Sequence, residues 1–165
     1  MLRLRSLAWA VATAAESARV WACDLTRACV STARHNVEPL DLADRVEVRR
    51  GDLFAPLPIE TFGRTIDLVI RNPPCIPVFR LEGDKAHLLR SQPRAAFDCG
   101  LYGFPIHQRR IGAALHDLRP GGWIALEFGE RQEVALFRRA GGHHGLHDAC
   151  DAQDAPRVAV AQRSA

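Results

Sequence analysis

Ile66-Asp67-Leu68-Val69-Ile70-Arg71-Asn72-Pro73-Pro74-Cys75-Ile76-Pro77 is the stretch on which the fold turns. The apolar run Ile66 to Ile70 reads as a buried strand. The Asn-Pro-Pro that follows cannot continue it, because neither proline carries an N–H and each fixes φ. A stiff polar turn at the strand's carboxyl end is the result. In an open α/β sheet, ligands bind at that edge, so the turn would offer an amide side chain and backbone carbonyls to a substrate. Asn72 is the first candidate for chemistry.

Outward from this turn, strand and helix patterns alternate, which is the doubly wound arrangement. Upstream, Leu7 to Ala18 is Ala-rich and helical, and Val20 to Cys23 is a short apolar strand ending at Asp24. A helix follows from Thr26 to Asn36, then a strand Val46 to Val48 closed by Gly51-Asp52, then the Pro56/Pro58 loop. Downstream, 78–105 shows little periodicity and reads as a long loop with one short helix, a length that is usually functional. Ile106 to Leu118 is helical, Pro120-Gly121-Gly122 reads as a sharp turn, and Trp123 to Phe128 as a strand buried on both faces. Arg131 to Ala140 makes another helix stopped by Gly141-Gly142. Two strands are expected in the tail, around His143 to Ala149 and Arg157 to Ala161.

The 165 residues suit one domain with a real core. With 47% hydrophobic and 25% charged residues the chain is globular rather than disordered. The net charge of +3 comes almost wholly from arginine, since Lys85 is the sole lysine. This balance permits nucleic-acid contact without arguing for it. Arg109-Arg110 and Arg138-Arg139 read as solvated helix faces. Five cysteines without a C-x-x-C pair suggest neither a disulfide framework nor a zinc site, and suit a reducing cytoplasm. His143-His144-Gly145-Leu146-His147 has no carboxylate or Cys partner at a recognised spacing, so no metal is expected. No run reaches the roughly 20 apolar residues that span a bilayer. The start only loosely imitates a targeting segment.

Asp24 and Asp52 each sit where a strand gives way to a loop, on the edge that would carry Asn72. An acid there can accept hydrogen bonds from ribose hydroxyls, although an Asp before a helix also serves as an N-cap. For Asn72-Pro73 the rationale concerns a planar NH2 group whose lone pair is delocalised. Two carbonyls accepting its N–H bonds would orient the nitrogen and stabilise the charge that develops as it attacks an electrophilic methyl.

Asp24, Gly51-Asp52-Leu53-Phe54, Asp67 to Pro74, Pro93 to Phe97 with Gly100 and Gly103, Leu118 to Gly122, and Leu126-Glu127-Phe128-Gly129 together carry a family likeness. They resemble the class I S-adenosylmethionine-dependent methyltransferases. Within that class they look most like the enzymes that methylate the glutamine side-chain amide of peptide-chain release factors. The resemblance implies an α/β, Rossmann-like doubly wound sheet, mostly parallel, with its first strand missing or shortened. It implies one domain over 1–165, in which 1–18 is a remnant of the first strand and helix and 78–105 is the substrate-side loop. Met1 to Leu4 would be the strand remnant and Arg5-Ser6 a shortened turn. S-adenosylmethionine is the implied cofactor, held by Asp24 with Leu25, by Asp52 and Leu53 beside the adenine, and by Asn72. The implied catalytic residues are Asn72, Pro73 and Pro74, with Cys75 joining them on the acceptor.

The chain departs from the family in three ways. No glycine precedes Gly51, although family members carry a glycine-rich loop after their first strand. Cys75 stands where the family has an aromatic residue. The separate N-terminal helical domain is not expected among these residues. The implied partner is a protein, a release factor, in the cytoplasm. The exocyclic amine of a nucleobase is the alternative acceptor, a degenerate domain without catalysis is the alternative role, and the oligomeric state is open.

Overall fold

The computed structural model describes residues 3–52, 55–57, 62–72, 112, 114–127 and 141–165. The chain forms two compact units, Met1–Pro58 and Ile59–Ala165.

The first unit contains helix α1 (Arg3–Ala14), strand β1 (Val20–Asp24), helix α2 (Arg27–Val37), a single 3-10 turn (Glu38–Leu40) and strand β2 (Val46–Arg50). The reading of Met1 to Leu4 as a strand remnant is corrected here. Arg3 and Leu4 already belong to α1, because a run of Leu, Ala and Arg without a turn residue favours helix. The other expected elements recur within a few residues at their ends. β1 and β2 pair in parallel with an unbroken register from Val20↔Val46 to Asp24↔Arg50. Alternation places Val20, Ala22, Val46 and Val48 on one face, where Ala8 and Ala12 of α1 and Val30, Ala33 and Val37 of α2 complete a buried core. On the other face the indole N–H of Trp21 donates to Glu47 Oε2 at 3.1 Å. The guanidinium of Arg45 donates to Ala12 O at 2.8 Å, satisfying a carbonyl in the last turn of α1.

The second unit holds β3 (Ile66–Arg71), β4 (Leu118–Glu127), β5 (His143–Cys150) and β6 (Pro156–Arg163) in the order β3-β4-β6-β5. β3 and β4 are parallel; β6 is antiparallel to both β4 and β5. Residues 112 and 114–117 are helical and lead directly into β4, so Leu118 is strand rather than the expected end of a helix. The expected loop 78–105 and helix Arg131 to Ala140 lie outside the described residues.

Two expectations about this sheet change. Pro120-Gly121-Gly122 is not a turn before a strand but a wide bulge inside β4. Between the pairs Ile66↔Leu118 and Leu68↔Trp123, β3 advances two residues while β4 advances five. Gly121 has φ +73°, and a Cβ on Gly122 would lie 2.9 Å from both Arg119 O and Ile66 O, so the bulge requires glycine. The Arg119 Nε–H donates to Asp67 Oδ1 at 2.6 Å, and the Gln162 side-chain amide donates to Gly121 O at 2.8 Å, which fixes the bulge from both neighbours. Nor is β4 buried on both faces, and β3, expected as a buried strand, buries only Val69 fully. Val69, Ile124 and Leu126 are buried together with Ala159 and Ala161 of β6, whereas Leu68 and Trp123, paired on the opposite face, are 43% and 39% exposed.

The β5–β6 hairpin closes on Asp151. Its Oδ1 accepts from the backbone N–H groups of Gln153 and Ala155 at 2.9 and 3.0 Å, and its Oδ2 from Arg157 Nε at 2.7 Å. Trp123 meets the ring of His147 edge-on at 6.2 Å. Among the described residues no helix is long and apolar enough to cross a membrane, and no group of His, Cys, Asp and Glu could hold a metal.

Candidate active site

Each unit puts its candidate residues at the carboxyl edge of its parallel strands. In the first unit this edge is built around Asp24, the last residue of β1. Its Oδ1 accepts from the Thr26 backbone N–H at 2.8 Å and from the Thr26 hydroxyl at 3.0 Å. The Thr26 Oγ1 in turn accepts from the Cys29 N–H at 3.3 Å and caps α2. The capping role expected of an Asp before a helix thus falls to Thr26, which Asp24 holds in place. Oδ1 forms the turn, and Oδ2 takes no part in these bonds. Sequence reasoning missed Thr26, although an Asp-x-Thr immediately before a helix is a recognisable turn-and-cap signal.

The end of β2 lies against this carboxylate turn. Gly51 N–H donates to Asp24 O at 3.0 Å, and Arg50 Nε donates to Leu25 O at 3.3 Å. Asp24 and Asp52 are thus brought to one edge by the parallel register, with Asp52 exposed and its carbonyl accepting from Ala55 N–H at 3.0 Å. A Cβ on Gly51 would meet the Pro56 ring at 2.3 Å, so this corner also requires glycine. Leu25 is a 61% exposed apolar side chain beside them, its carbonyl accepting from Arg50. Leu53, expected on the adenine, lies outside the described residues.

In the second unit Asn72 follows the last residue of β3 and is half-buried. Arg71 pairs with Leu126, so Asn72 and Glu127 both stand at the carboxyl edge of the β3–β4 pair. Pro73, Pro74 and Cys75 lie outside the described residues.

The donor set fits one half of S-adenosylmethionine. A half-buried carboxylate with a remaining acceptor, a glycine corner and an exposed leucine match a ribose diol and a flat apolar base. The glycine cradle for the methionine half is not among these 165 residues, whose first glycine is Gly51.

The fold defines the class. Solved structures with this architecture include the N-terminal domain of human METTL16 in complex with SAH, with a TM-score of 0.64 at 20% identity over 98% of this chain and 58% of that one. TrmN from Thermus thermophilus also matches, with a TM-score of 0.59 at 23% identity over 93% of this chain and 39% of that one. The chain has the α/β fold of the class I S-adenosylmethionine-dependent methyltransferases. No family model matches it.

Within that class its sequence kinship is narrower, for it is a relative of the release factor glutamine methyltransferases. It is 40% identical over 119 residues to the enzyme of Moorella thermoacetica, covering 72% of this chain and 40% of the relative. The enzyme of Gloeobacter violaceus is 37% identical over 122 residues, covering 74% and 41%. A ribosomal protein uL3 glutamine methyltransferase of Bradyrhizobium diazoefficiens is 35% identical over 120 residues, covering 72% and 35%. The chain spans less than half the length of these relatives.

Proposed function

We propose that the chain carries the catalytic core of an N-methyltransferase that uses S-adenosylmethionine to methylate the side-chain amide of glutamine in a protein, with a peptide-chain release factor as the acceptor. The observation that carries this reading is the placement of Asn72 directly after β3, at the edge where a parallel strand presents its ligand-binding residues. Kinship to glutamine methyltransferases supports the acceptor class.

The cofactor, when bound, supplies an electrophilic methyl on a sulfonium. Asp24 Oδ2 would accept from the ribose hydroxyls, and Leu25 with the Asp52–Leu53 corner would flank the adenine. Asn72, with Pro73, Pro74 and Cys75, would grip the acceptor amide. Two carbonyls at this turn accepting the amide's N–H bonds would aim the nitrogen lone pair and offset the positive charge that grows on it during transfer. Positioning and electrostatics thus supply the rate, and no covalent enzyme intermediate is required.

Isothermal titration of the chain with S-adenosylmethionine and S-adenosylhomocysteine, followed by mass analysis of a release factor incubated with both, tests the reading. Binding lost in Asp24→Ala, with methyl transfer lowered about 100-fold or more in Asn72→Ala, is the expected outcome. A folded chain that binds neither compound would overturn the proposal for these residues.

A further inference from the structure

Next to the carboxyl edge of β1 and β2, the first unit carries an open cleft of about 560 Å³ lined by Arg27, Val30, Ser31, Arg34, His35 and Arg50. Five of these share one stripe of α2 at the i, i+3, i+4, i+7 and i+8 positions, and Arg50 closes the stripe from the end of β2. Among the described residues no carboxylate lines the wall. Two of its cations are held in place by backbone. Arg34 donates to Val48 O through Nε at 3.2 Å and Nη2 at 2.9 Å, and Arg50 donates through Nε to Leu25 O at 3.3 Å. Each guanidinium is thereby fixed by part of its fork, and its other N–H donors remain for a ligand, with less side-chain entropy to lose on binding.

We infer that this cleft binds the phosphodiester backbone of a nucleic acid strand, independently of base sequence. Arg27 and Arg34 are seven residues apart on one helix, about 10 Å along its axis, so a single phosphate cannot bridge them whereas a chain of phosphates can. Among the described lining residues the one aliphatic side chain, Val30, is buried, so they offer no apolar anchor of the kind a protein partner would need. Those residues also include no Phe, Tyr or Trp to act as a platform for base stacking, so the contact they offer is to the backbone.

Fluorescence anisotropy of the whole chain with a labelled 20-nucleotide single-stranded RNA, titrated at several salt concentrations, tests the inference. Three arginine–phosphate contacts give a slope of log affinity against log salt of about −2, and hence roughly 16-fold weaker binding at 200 mM than at 50 mM salt. Arg27→Gln and Arg50→Gln should each weaken binding and flatten the slope by about 0.7, with circular dichroism unchanged, while the exposed Arg64→Gln in the second unit leaves both as they were. Absence of binding at low salt would overturn the inference, as would slopes that Arg27→Gln and Arg50→Gln leave unchanged. Equal competition by inorganic phosphate would replace the strand with a free anion, and equal competition by polyglutamate would replace it with an acidic polypeptide; either result overturns it too.

Discussion

The two parallel strand pairs solve the same problem differently. β1 and β2 run together over five uninterrupted residue pairs, joined by one short helix and sealed on one face by α1 and α2. β3 and β4 begin in register at Ile66↔Leu118, lose it across Arg119 to Gly122, and recover it at Leu68↔Trp123. In the first pair the alternation of apolar residues sets register by itself, because a slip of one residue would turn Val46 and Val48 away from the core. In the second, register is held by particular contacts: a glycine with no room for a side chain, an arginine reaching across to Asp67, and a glutamine on the Gly121 carbonyl. A regular pair tolerates change through many small contributions, whereas a bulged one concentrates its specification in a few atoms.

Gly122→Ala strikes the bulge hardest. The added methyl would sit 2.9 Å from two backbone carbonyl oxygens, neither of which can swing aside as a side chain could. The expected destabilisation is about 2–3 kcal/mol, read from the urea midpoint at unchanged m-value. An effect below about 0.5 kcal/mol would show that the bulge does not hold the register. On the regular pair, Thr26→Ala removes the cap of α2 and the hydroxyl bond to Asp24, leaving the carboxylate only the backbone N–H, with an expected loss of about 1 kcal/mol. Cofactor affinity falls with it if Asp24 must be oriented to bind ribose; equal affinity in the variant would separate the cap from the site.

The smallest effect belongs to the hairpin that completes the bulged sheet. The Arg157 guanidinium on Asp151, aided by the Ala155 and Gln153 N–H groups, lowers the Asp151 carboxyl pKa below its ordinary 3.8. A carboxyl depressed in the folded state contributes stability at pH above its unfolded value, and that contribution disappears as pH falls through the folded value. The margin of the native chain over Asp151→Asn, measured by thermal unfolding, should therefore be full near pH 6 and shrink below about pH 4. A margin independent of pH would assign the hairpin's order to its backbone alone.

Much of this architecture was legible in the sequence wherever one residue type serves one purpose. Val20 to Cys23 and Val46 to Val48 announced themselves by short apolar runs before a breaker or an acid, and the acid at the end of β1 by its position. Pro120-Gly121-Gly122 was misread because the residues that make a turn also make a bulge, and only the partner strand distinguishes them. Burial of β3, and of β4 on both faces, was overestimated because an apolar run does not reveal which of its faces is covered; Leu68 and Trp123 face outward together. At the site, strand ends located Asp24, Asp52 and Asn72. The division of labour between the two oxygens of Asp24 depends on how the chain turns at Thr26, which no residue pattern records.

The Asp151 turn also bears on the order in which the second sheet assembles. Between β5 and β6 only Asp151 to Ala155 must close before hydrogen bonds form, and the carboxylate already gathers that turn. The parallel pairing of β3 with β4 must first bring together the ends of everything between Arg71 and Leu118. Loop-closure entropy rises with that separation, so local antiparallel strands can zip while the parallel pair is still searching. β6 lies between β5 and β4 in the sheet, and a hairpin formed early would offer β6 as the template on which β4 and then β3 are laid.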